Sequence, residues 1–242
     1  PNVDIWDNEF SLIQDDCLEV DCAAVLWGIW GNRFRDSYVG ISLAPAKLGP
    51  VYLFKNQYTN IHKDELTGRG IGSVIKAGAN SDARVYVFHE SVFSPKAMGG
   101  TNWIVNGATG RNPDFLAWDN SIFVSRYIED GFTSRYHGDY NLLYTTDPSR
   151  FIGGTGGANS LAQWQQATGQ ELHSLQVDPG YLSPPGDLTP SWVNMGTPGP
   201  LLGMDVSYFE QALGYAGAAP DMGAIEVGGL PSPPIARLVA VP

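Results

Sequence analysis

The sequence predicts an all-β protein, a right-handed parallel β-helix (solenoid) with an irregular C-terminal closing segment. Two observations predict this fold: an aromatic-x-Asn-x-aromatic pattern that recurs as far as Tyr144, and a composition rich in aromatic and turn residues. Of the 242 residues only 16% are charged, whereas glycine occurs 29 times and proline 17 times. Such a composition favours strands and tight turns over helices.

The recurring pattern sets the length of one repeat. Its central residues follow one another at steps of 24, 24, 34, 30 and 21 residues. Roughly 20 to 25 residues suit one coil of a solenoid, and a longer step needs only a loop inserted at one turn. We expect the central residues to stack as a ladder at a corner, because Asn tolerates left-handed backbone and hydrogen-bonds its equivalents above and below. In chain order they are Asn8, Asn32, Asn56, Glu90, Asn120 and Asn141.

A second family of short strands predicts a column of polar side chains on one outer face. Each of these strands precedes a corner by 13 or 14 residues and carries a polar residue between apolar neighbours. Alternation of this kind directs the polar side chain outward and its neighbours inward. Because stacked strands lie about 4.8 Å apart, the polar residues fall into one column. Its members are Glu19, Ser42, Lys76 and Asn106.

Charge and hydropathy narrow the classes of function. The net charge of −11 disfavours nucleic acid as a partner, since no basic patch replaces its counterions. No run of 18 apolar residues predicts a membrane span, and the first residues lack the pattern of a signal peptide. Cys17 and Cys22 are compatible either with buried free thiols or with a local disulfide.

The last third of the chain follows a different pattern. Residues 160–170 predict a short helix that begins after Ser160 and ends at Gly169. We expect one β-helix domain over residues 1–227, and a linker or the start of a further segment over residues 228–242. Since residue 2 already lies in a predicted strand without a cap, we expect earlier coils to be missing or supplied elsewhere, by a preceding chain segment or by further copies.

Several motifs resemble one known superfamily. They are Asn-Leu-x-Tyr, then Ser-Leu-x-x-Trp-Gln-x-x-Thr-Gly-Gln-x-x-His-Ser-Leu-x-x-Asp-Pro, then Pro-Asp-x-Gly-Ala-x-Glu, over residues 141–226. This order resembles the closing segment of bacterial right-handed parallel β-helix proteins of the pectate-lyase-like superfamily, and residues 15–20 and 49–56 resemble their body. The resemblance implies an extracellular or cell-surface protein that acts on polysaccharide. The Gly-His-Gly and Arg-Ile-Lys motifs of polygalacturonases are missing, so a non-catalytic structural or adhesive β-helix of a fibre, sheath or surface assembly is the alternative.

If the chain is a lyase, the polar column supplies candidate catalytic residues. Elimination on a uronate polymer needs a base for the C5 proton and a cation that neutralises the carboxylate. Lys76 and Glu19 are the candidates in the groove, and His89 is a candidate acid or base. Asp16, Glu19 and Asp21 are candidate ligands of Ca²⁺, a hard ion that prefers oxygen. The same carboxylates leave a glycoside hydrolase open, since such enzymes use two of them.

Four further residues are candidates for contact with the polysaccharide. Ser42 and Asn106 belong to the polar column, so a bound chain along this face would touch them. Arg33 and Lys55 lie near corners, where a guanidinium or ammonium group can hold a sugar carboxylate. Glu90 interrupts the asparagine series beside the longest insertion, and the surroundings of this residue are therefore a further place to look for function.

Overall fold

The computed structural model describes residues 3–61, 72–77, 81–95, 103–107, 115–119, 121–125, 128–129, 136–147, 151–153, 158–191, 196 and 220–228. Short strands dominate, with a single helix among the described residues. In chain order the elements are β1 (Val3–Trp6), β2 (Glu9–Ser11), β3 (Asp16–Glu19), β4 (Cys22–Ala24), β5 (Trp27–Trp30), β6 (Arg33–Arg35), β7 (Val39–Leu43), β8 (Ala46–Leu48), β9 (Val51–Phe54), β10 (Gln57–Thr59), β11 (Ser73–Ala77), β12 (Arg84–Phe88), β13 (Ser91–Ser94), β14 (Trp103–Gly107), β15 (Phe115–Asp119), β16 (Ile122–Ser125), β17 (Ile128–Glu129), β18 (Tyr136–Asp139), β19 (Leu142–Thr145), β20 (Ile152–Gly153) and α1 (Leu161–Thr168).

Three parallel sheets contain most of these strands. Sheet A has the order β1-β5-β9-β12-β15-β18, sheet B the order β2-β6-β10-β13-β16-β19, and sheet C the order β3-β7-β11-β14. Two small pairs, β4 with β8 and β17 with β20, complete the set. Each repeat of the chain thus adds one strand to sheet A and one to sheet B, and the first four repeats also add one to sheet C. The predicted all-β class is confirmed.

Aromatic residues that flank each corner stack on their equivalents in the neighbouring repeats. At the end of sheet A, Trp6 lies 5.1 Å from Trp30 between ring centroids, Trp30 lies 5.7 Å from Phe54, and Phe54 lies 5.0 Å from Phe88. At the start of sheet B, Phe10, Phe34 and Tyr58 form a second stack with spacings of 5.0 and 4.9 Å. The aromatic positions of the recurring pattern therefore face one another across adjacent strands, as stacked aromatic rings prefer.

The central residues form the predicted ladder between sheets A and B, with one change of member. Glu90 N donates to Ser121 Oγ at 3.0 Å, and Ser121 N donates to Asn141 Oδ1 at 3.0 Å. Ser121 is the rung between β15 and β16, and Asn120, which the sequence predicted as the rung, lies outside the described residues. At the other corners two residues separate the strand of sheet A from that of sheet B, and the second residue of each pair is the rung.

At the corners of Asn8, Asn32, Asn56, Glu90 and Asn141, the left-handed backbone lies one position before the rung rather than on it. Asp7, Lys55, His89 and Tyr140 have φ angles of 55°, 54°, 54° and 54°, and Gly31 has 65°. The expectation that asparagine itself adopts this conformation was therefore wrong. The rung positions favour asparagine because its amide forms hydrogen bonds to neighbouring repeats. The position before the rung, which has the left-handed backbone, varies in residue type.

The C-terminal segments cover one half of sheet B. Tyr181, Leu188 and Met222 pack with Ile122 and Leu142 in an apolar cluster outside the sheet. Ala224 N donates to Ser91 Oγ at 2.8 Å, and this approach leaves no room for a side chain at residue 223. Gly223 has a φ of 94°, and a Cβ atom there would lie 2.7 Å from Ser91 Oγ. The outer face of sheet B is therefore apolar and covered near β16 and β19.

Helix α1 has the predicted ends. Ser160 accepts a hydrogen bond from Gln163 N as the N-cap, and Gly169 ends the helix with a φ of 69°. Leu161 and Trp164 face the core. Both cysteines are free thiols.

Candidate functional site

The predicted polar column has the expected register but not the expected exposure. Glu19 pairs with Ser42, Ser42 with Lys76, and Lys76 with Asn106 across sheet C. Glu19 is exposed and Lys76 half-buried, whereas Ser42 is only 2% exposed. The expectation of a solvent-facing residue at Ser42 was wrong, since its short hydroxyl lies between two strands with longer side chains. The side chain of Asn106 lies outside the described part of the chain.

Lys76 is bound to a buried carboxylate. Its Nζ lies 2.5 Å from Asp16 Oδ2, and the Asp16 side chain is only 3% exposed. The Lys76 amine is thus engaged with a carboxylate inside the protein. The role of Lys76 as a base stays a prediction of the sequence.

The predicted calcium ligands are not gathered around one point. Asp16 is committed to Lys76, while Glu19 and Asp21 are exposed. Among the described residues, no group of three or more His, Cys, Asp and Glu side chains is placed to hold a metal ion. Calcium binding at these carboxylates stays a prediction of the sequence.

His89 and Lys55 lie together at the corner beneath the C-terminal segment. His89 is buried, and its Nδ1 lies 3.2 Å from the carbonyl oxygen of Asp221. Burial, reinforced by the nearby Lys55 cation, lowers the pKa of His89 to about 3, so the imidazole is neutral. Burial also lowers the pKa of Lys55, and the charge of Glu226 opposes this shift. His89 is therefore packed under the segment 220–228, and the half-buried Lys55 lies near Glu226 of the same segment.

A cleft on the uncovered half of sheet B brings other polar residues together. Its volume is about 350 Å³, and it lies between strands β2, β6 and β10 and the segment Pro185–Leu188. Arg33 and Arg35 alternate along β6, which directs both guanidinium groups to this outer face. The other lining residues are Glu9, Phe34, Gln57, Thr59 and Ile225.

Arg33 is the cation of this cleft that is available to a ligand. Arg35 forms an ion pair with Glu9, with 2.6 Å between Nη2 and Oε1. The Asp187 carboxylate accepts a hydrogen bond from Thr189 N at 2.9 Å, and bonds to Thr189 lower its pKa. The Arg33 guanidinium has no such partner among the described residues, so an anionic or hydroxyl-rich ligand would find its donors available.

Sequence reasoning found only one residue of this cleft, Arg33. Arg35 and Gln57 had a usable signal, because the alternation Arg33-Phe34-Arg35 and the 24-residue step place them beside it. The contribution of Asp187 had no such signal, since ten further strands and helix α1 separate it from β10 in the sequence. The predicted binding residues Ser42 and Lys55 lie elsewhere.

Comparison with known proteins finds no relative: no family model, no curated protein and no solved structure matches this chain. The resemblance to the pectate-lyase-like superfamily accordingly stays a prediction. In the described part of the chain, no helix has the length and apolar character needed to cross a membrane.

Proposed function

We propose that sheets A, B and C are the three faces of one right-handed parallel β-helix. Support comes from the fixed order in which the first four repeats visit the three sheets, and from the in-register pairing at 24-residue steps of β1, β5 and β9. Parallel strands joined by a crossover take the right-handed sense in nearly every known case. The closing segment then consists of α1 and the turns and isolated bridges after it.

We propose that the chain binds an anionic polysaccharide, such as a polyuronate, in the sheet B cleft. The single observation behind this proposal is the Arg33 guanidinium, which has no partner among the described residues in a cleft whose other charged side chains, Glu9, Arg35 and Asp187, are already bonded. A guanidinium holds a sugar carboxylate with two parallel hydrogen bonds, and Gln57 and Thr59 on the next strand offer partners for hydroxyl groups. Such ligands are found outside the cell, which fits the extracellular or surface location expected from the resemblance.

Binding is better supported than elimination. A lyase needs a base close to the bound sugar, whereas the Lys76 amine lies against Asp16 on sheet C and does not line the sheet B cleft. The His89 imidazole is buried under Asp221, so it does not reach a sugar bound at the surface. A lyase-like activity would need groups outside these two, and release of unsaturated products from polyuronates would reveal it.

Replacing Arg33 tests the proposal. Arg33→Gln keeps a polar side chain on β6 but removes the charge, and we expect affinity for polygalacturonate or alginate to fall about tenfold or more. Affinity gel electrophoresis or calorimetry measures the change at low and moderate salt. Arg84→Gln is the matched control, because Arg84 is an exposed arginine on sheet A, away from the cleft.

Two results would contradict the proposal. One is equal loss of affinity in the Arg33 and Arg84 variants, which would indicate non-specific attraction of a polyanion. The other is retention of polyuronate binding by the Arg33 variant together with equal binding of neutral dextran.

A structural or adhesive role is the second candidate, and one observation favours it. Trp6, at the outer end of the aromatic stack, is 42% exposed, whereas Trp30 above it is 8% exposed. An aromatic residue exposed at a strand edge is typical of a surface that joins another β element.

A further inference from the structure

The sheet B cleft ends at a wall on the side of β13. Arg33, Gln57 and Ser91 occupy matching positions on β6, β10 and β13, so they form one outward column. Arg33 and Gln57 line the cleft, whereas Ser91 is fully buried. Ser91 Oγ accepts a hydrogen bond from Ala224 N at 2.8 Å, and a Cβ atom at Gly223 would lie only 2.7 Å from the same oxygen. The C-terminal segment therefore closes this column at β13.

The neighbouring outward column ends at the same strand. Arg35 and Thr59 line the cleft, and Phe93 follows Thr59 across the sheet. The Phe93 ring packs edge-on against Tyr181, with 6.1 Å between ring centroids, and Tyr181 belongs to the apolar cluster outside sheet B. A ligand that runs along the sheet from β6 to β10 therefore meets protein at β13 in both columns.

The wall belongs to the folded body of the protein. Three of its side chains are buried in the apolar cluster, namely those of Tyr181, Leu188 and Met222. Within the segment 220–228, Asp221 N donates to Glu226 Oε2 at 3.0 Å, and Val227 N donates to Asp221 Oδ2 at 2.7 Å. The closed end of the cleft thus consists of packed side chains and a turn that is held by its own hydrogen bonds.

A short hairpin from Leu182 to Thr189 forms the side of the cleft. Leu182 N donates to the carbonyl of Thr189 at 3.1 Å, and Asp187 N donates to the carbonyl of Ser183 at 2.9 Å. Gly186, near the tip, lines the cleft, and its backbone is not left-handed. A Cβ atom there would meet only the Ser183 carbonyl oxygen, at an ordinary contact distance of 3.6 Å. The hairpin itself does not require glycine at this position, and the missing side chain leaves room in the cleft.

The size of the cleft suits a short length of polysaccharide. Its volume of about 350 Å³ is near the lower end of the range for sites that bury small ligands. Strands of a sheet lie about 4.8 Å apart, so a sugar ring covers roughly one strand, and a ligand over β6 and β10 has about two rings. Arg33 lies one strand before the end of the floor. The carboxylate that it binds therefore belongs to a sugar within about two rings of the wall.

We propose that the cleft receives one end of the polyuronate chain rather than its interior. The last sugar lies over β10 against the wall at β13, the Arg33 guanidinium binds a carboxylate near that end, and Gly186 sets the width of the cleft. This proposal rests on the polyuronate binding proposed above, and it adds which part of the polymer is bound.

The number of protein molecules bound per polymer chain tests end recognition. Titration calorimetry compares a galacturonate trisaccharide with long polygalacturonate, both at a known molar concentration of chains. We expect one protein molecule per chain for both ligands, with dissociation constants per mole of chain that agree within about threefold. A protein that binds interior segments would instead load many molecules on each long chain, and its affinity per chain would rise with chain length.

Two leucine variants of the hairpin test where the bound end lies. Gly186→Leu places a side chain in the cleft, and we expect it to weaken binding of trisaccharide and polymer alike by about tenfold or more. Ser183→Leu is the matched control, because it adds the same side chain to an exposed position of the same hairpin outside the cleft lining. This control should leave both affinities unchanged, and circular dichroism checks that both variants are folded.

The outcomes distinguish failure of end recognition from failure of polyuronate binding. Several protein molecules on each long chain, with binding weakened by Arg33→Gln, would overturn end recognition and leave polyuronate binding in the cleft intact. Unchanged affinity of a folded Gly186→Leu variant would also overturn end recognition. Absence of binding of either ligand by the parent protein would overturn polyuronate binding itself, and end recognition with it.

Discussion

At the scale of single residues, Glu90 is a buried acid that serves as a rung. Its Oε1 accepts from Asn56 Nδ2 at 2.8 Å, while its Oε2 is buried without a hydrogen-bond partner among the described residues. Burial raises the pKa of Glu90 well above 4.5, and the bond from Asn56 opposes this only in part. The sequence singled out Glu90 as a possible functional residue, but its environment is that of a neutral acid inside the ladder.

The raised pKa of Glu90 predicts that the free energy of unfolding falls as the pH rises above 4.5. Below pH 4.5 the folded and unfolded chains both carry the proton; above it the unfolded chain loses the proton and the folded chain keeps it. The free energy of unfolding then decreases by up to about 1.4 kcal/mol per pH unit until the folded pKa is reached. Glu90→Gln removes this slope, and thermal unfolding across the pH range measures the difference between variant and parent.

Comparison with the parent separates the contribution of Glu90 to the pH dependence of stability from the contributions of neighbouring groups. His89, with its pKa lowered to about 3, makes stability fall as pH drops below 6.5, and Lys55 lies beside it. His89 and Lys55 are the same in parent and variant. Burial, and after it the Glu90 charge, raises the pKa of Tyr58 well above 10, so the two profiles are compared below pH 10. Glu19→Gln is the control for an exposed carboxylate. A Glu90→Gln profile parallel to the parent from pH 5 upward would refute the assignment.

Single-residue roles were predicted unevenly by the sequence. Arg33 was assigned to ligand binding and lies in the cleft, because its position on an outward-facing strand is a local property. Lys76 was assigned as a base, yet it is paired with Asp16, which precedes it by 60 residues. The pairing depends on how sheet C brings distant strands together, and no local pattern contains that information.

At the scale of elements, the rungs differ in what they hold. Asn32 is fully buried, and its side chain bonds to Asn8, Ile5 and Asn56. Asn8 is exposed and holds only one neighbouring repeat. The strength of the ladder therefore comes from rungs with a repeat on both sides.

This difference predicts unequal costs of mutation. Asn32→Ala leaves buried backbone groups unsatisfied and is expected to lower the free energy of unfolding by about 2 to 4 kcal/mol. Asn8→Ala exposes its neighbours to water and should cost less than about 1 kcal/mol. Urea denaturation followed by circular dichroism measures both. Equal losses would show that the hydrogen bonds between rungs do not stabilise the sheets as described.

The ends of elements were predicted best where a local signal sets them. Helix α1 lies between the expected Ser160 cap and Gly169. The rung at Ser121 was missed because the prediction followed the asparagines, whereas each described rung is the residue directly before a strand of sheet B.

At the scale of the whole molecule, the repeat in the sequence predicted the parallel sheets but not how the C-terminal segments pack on them. Three parallel sheets with the expected register follow from a repeat that the sequence displays directly. The cover over sheet B does not, because the segments 181–188 and 220–225 reach it across long stretches of chain. The cleft exists only where this cover ends, so the most promising site could not be located from the sequence alone.

The most direct test of the account is a hydrogen-exchange footprint of a bound polyuronate oligosaccharide on the intact chain. Binding in the cleft predicts added protection in β6, β10 and the segment 183–188, with sheet C unchanged. Added protection in β3, β7 and β11, with the cleft unchanged, would contradict the account and return the site to the polar column of Glu19 and Lys76.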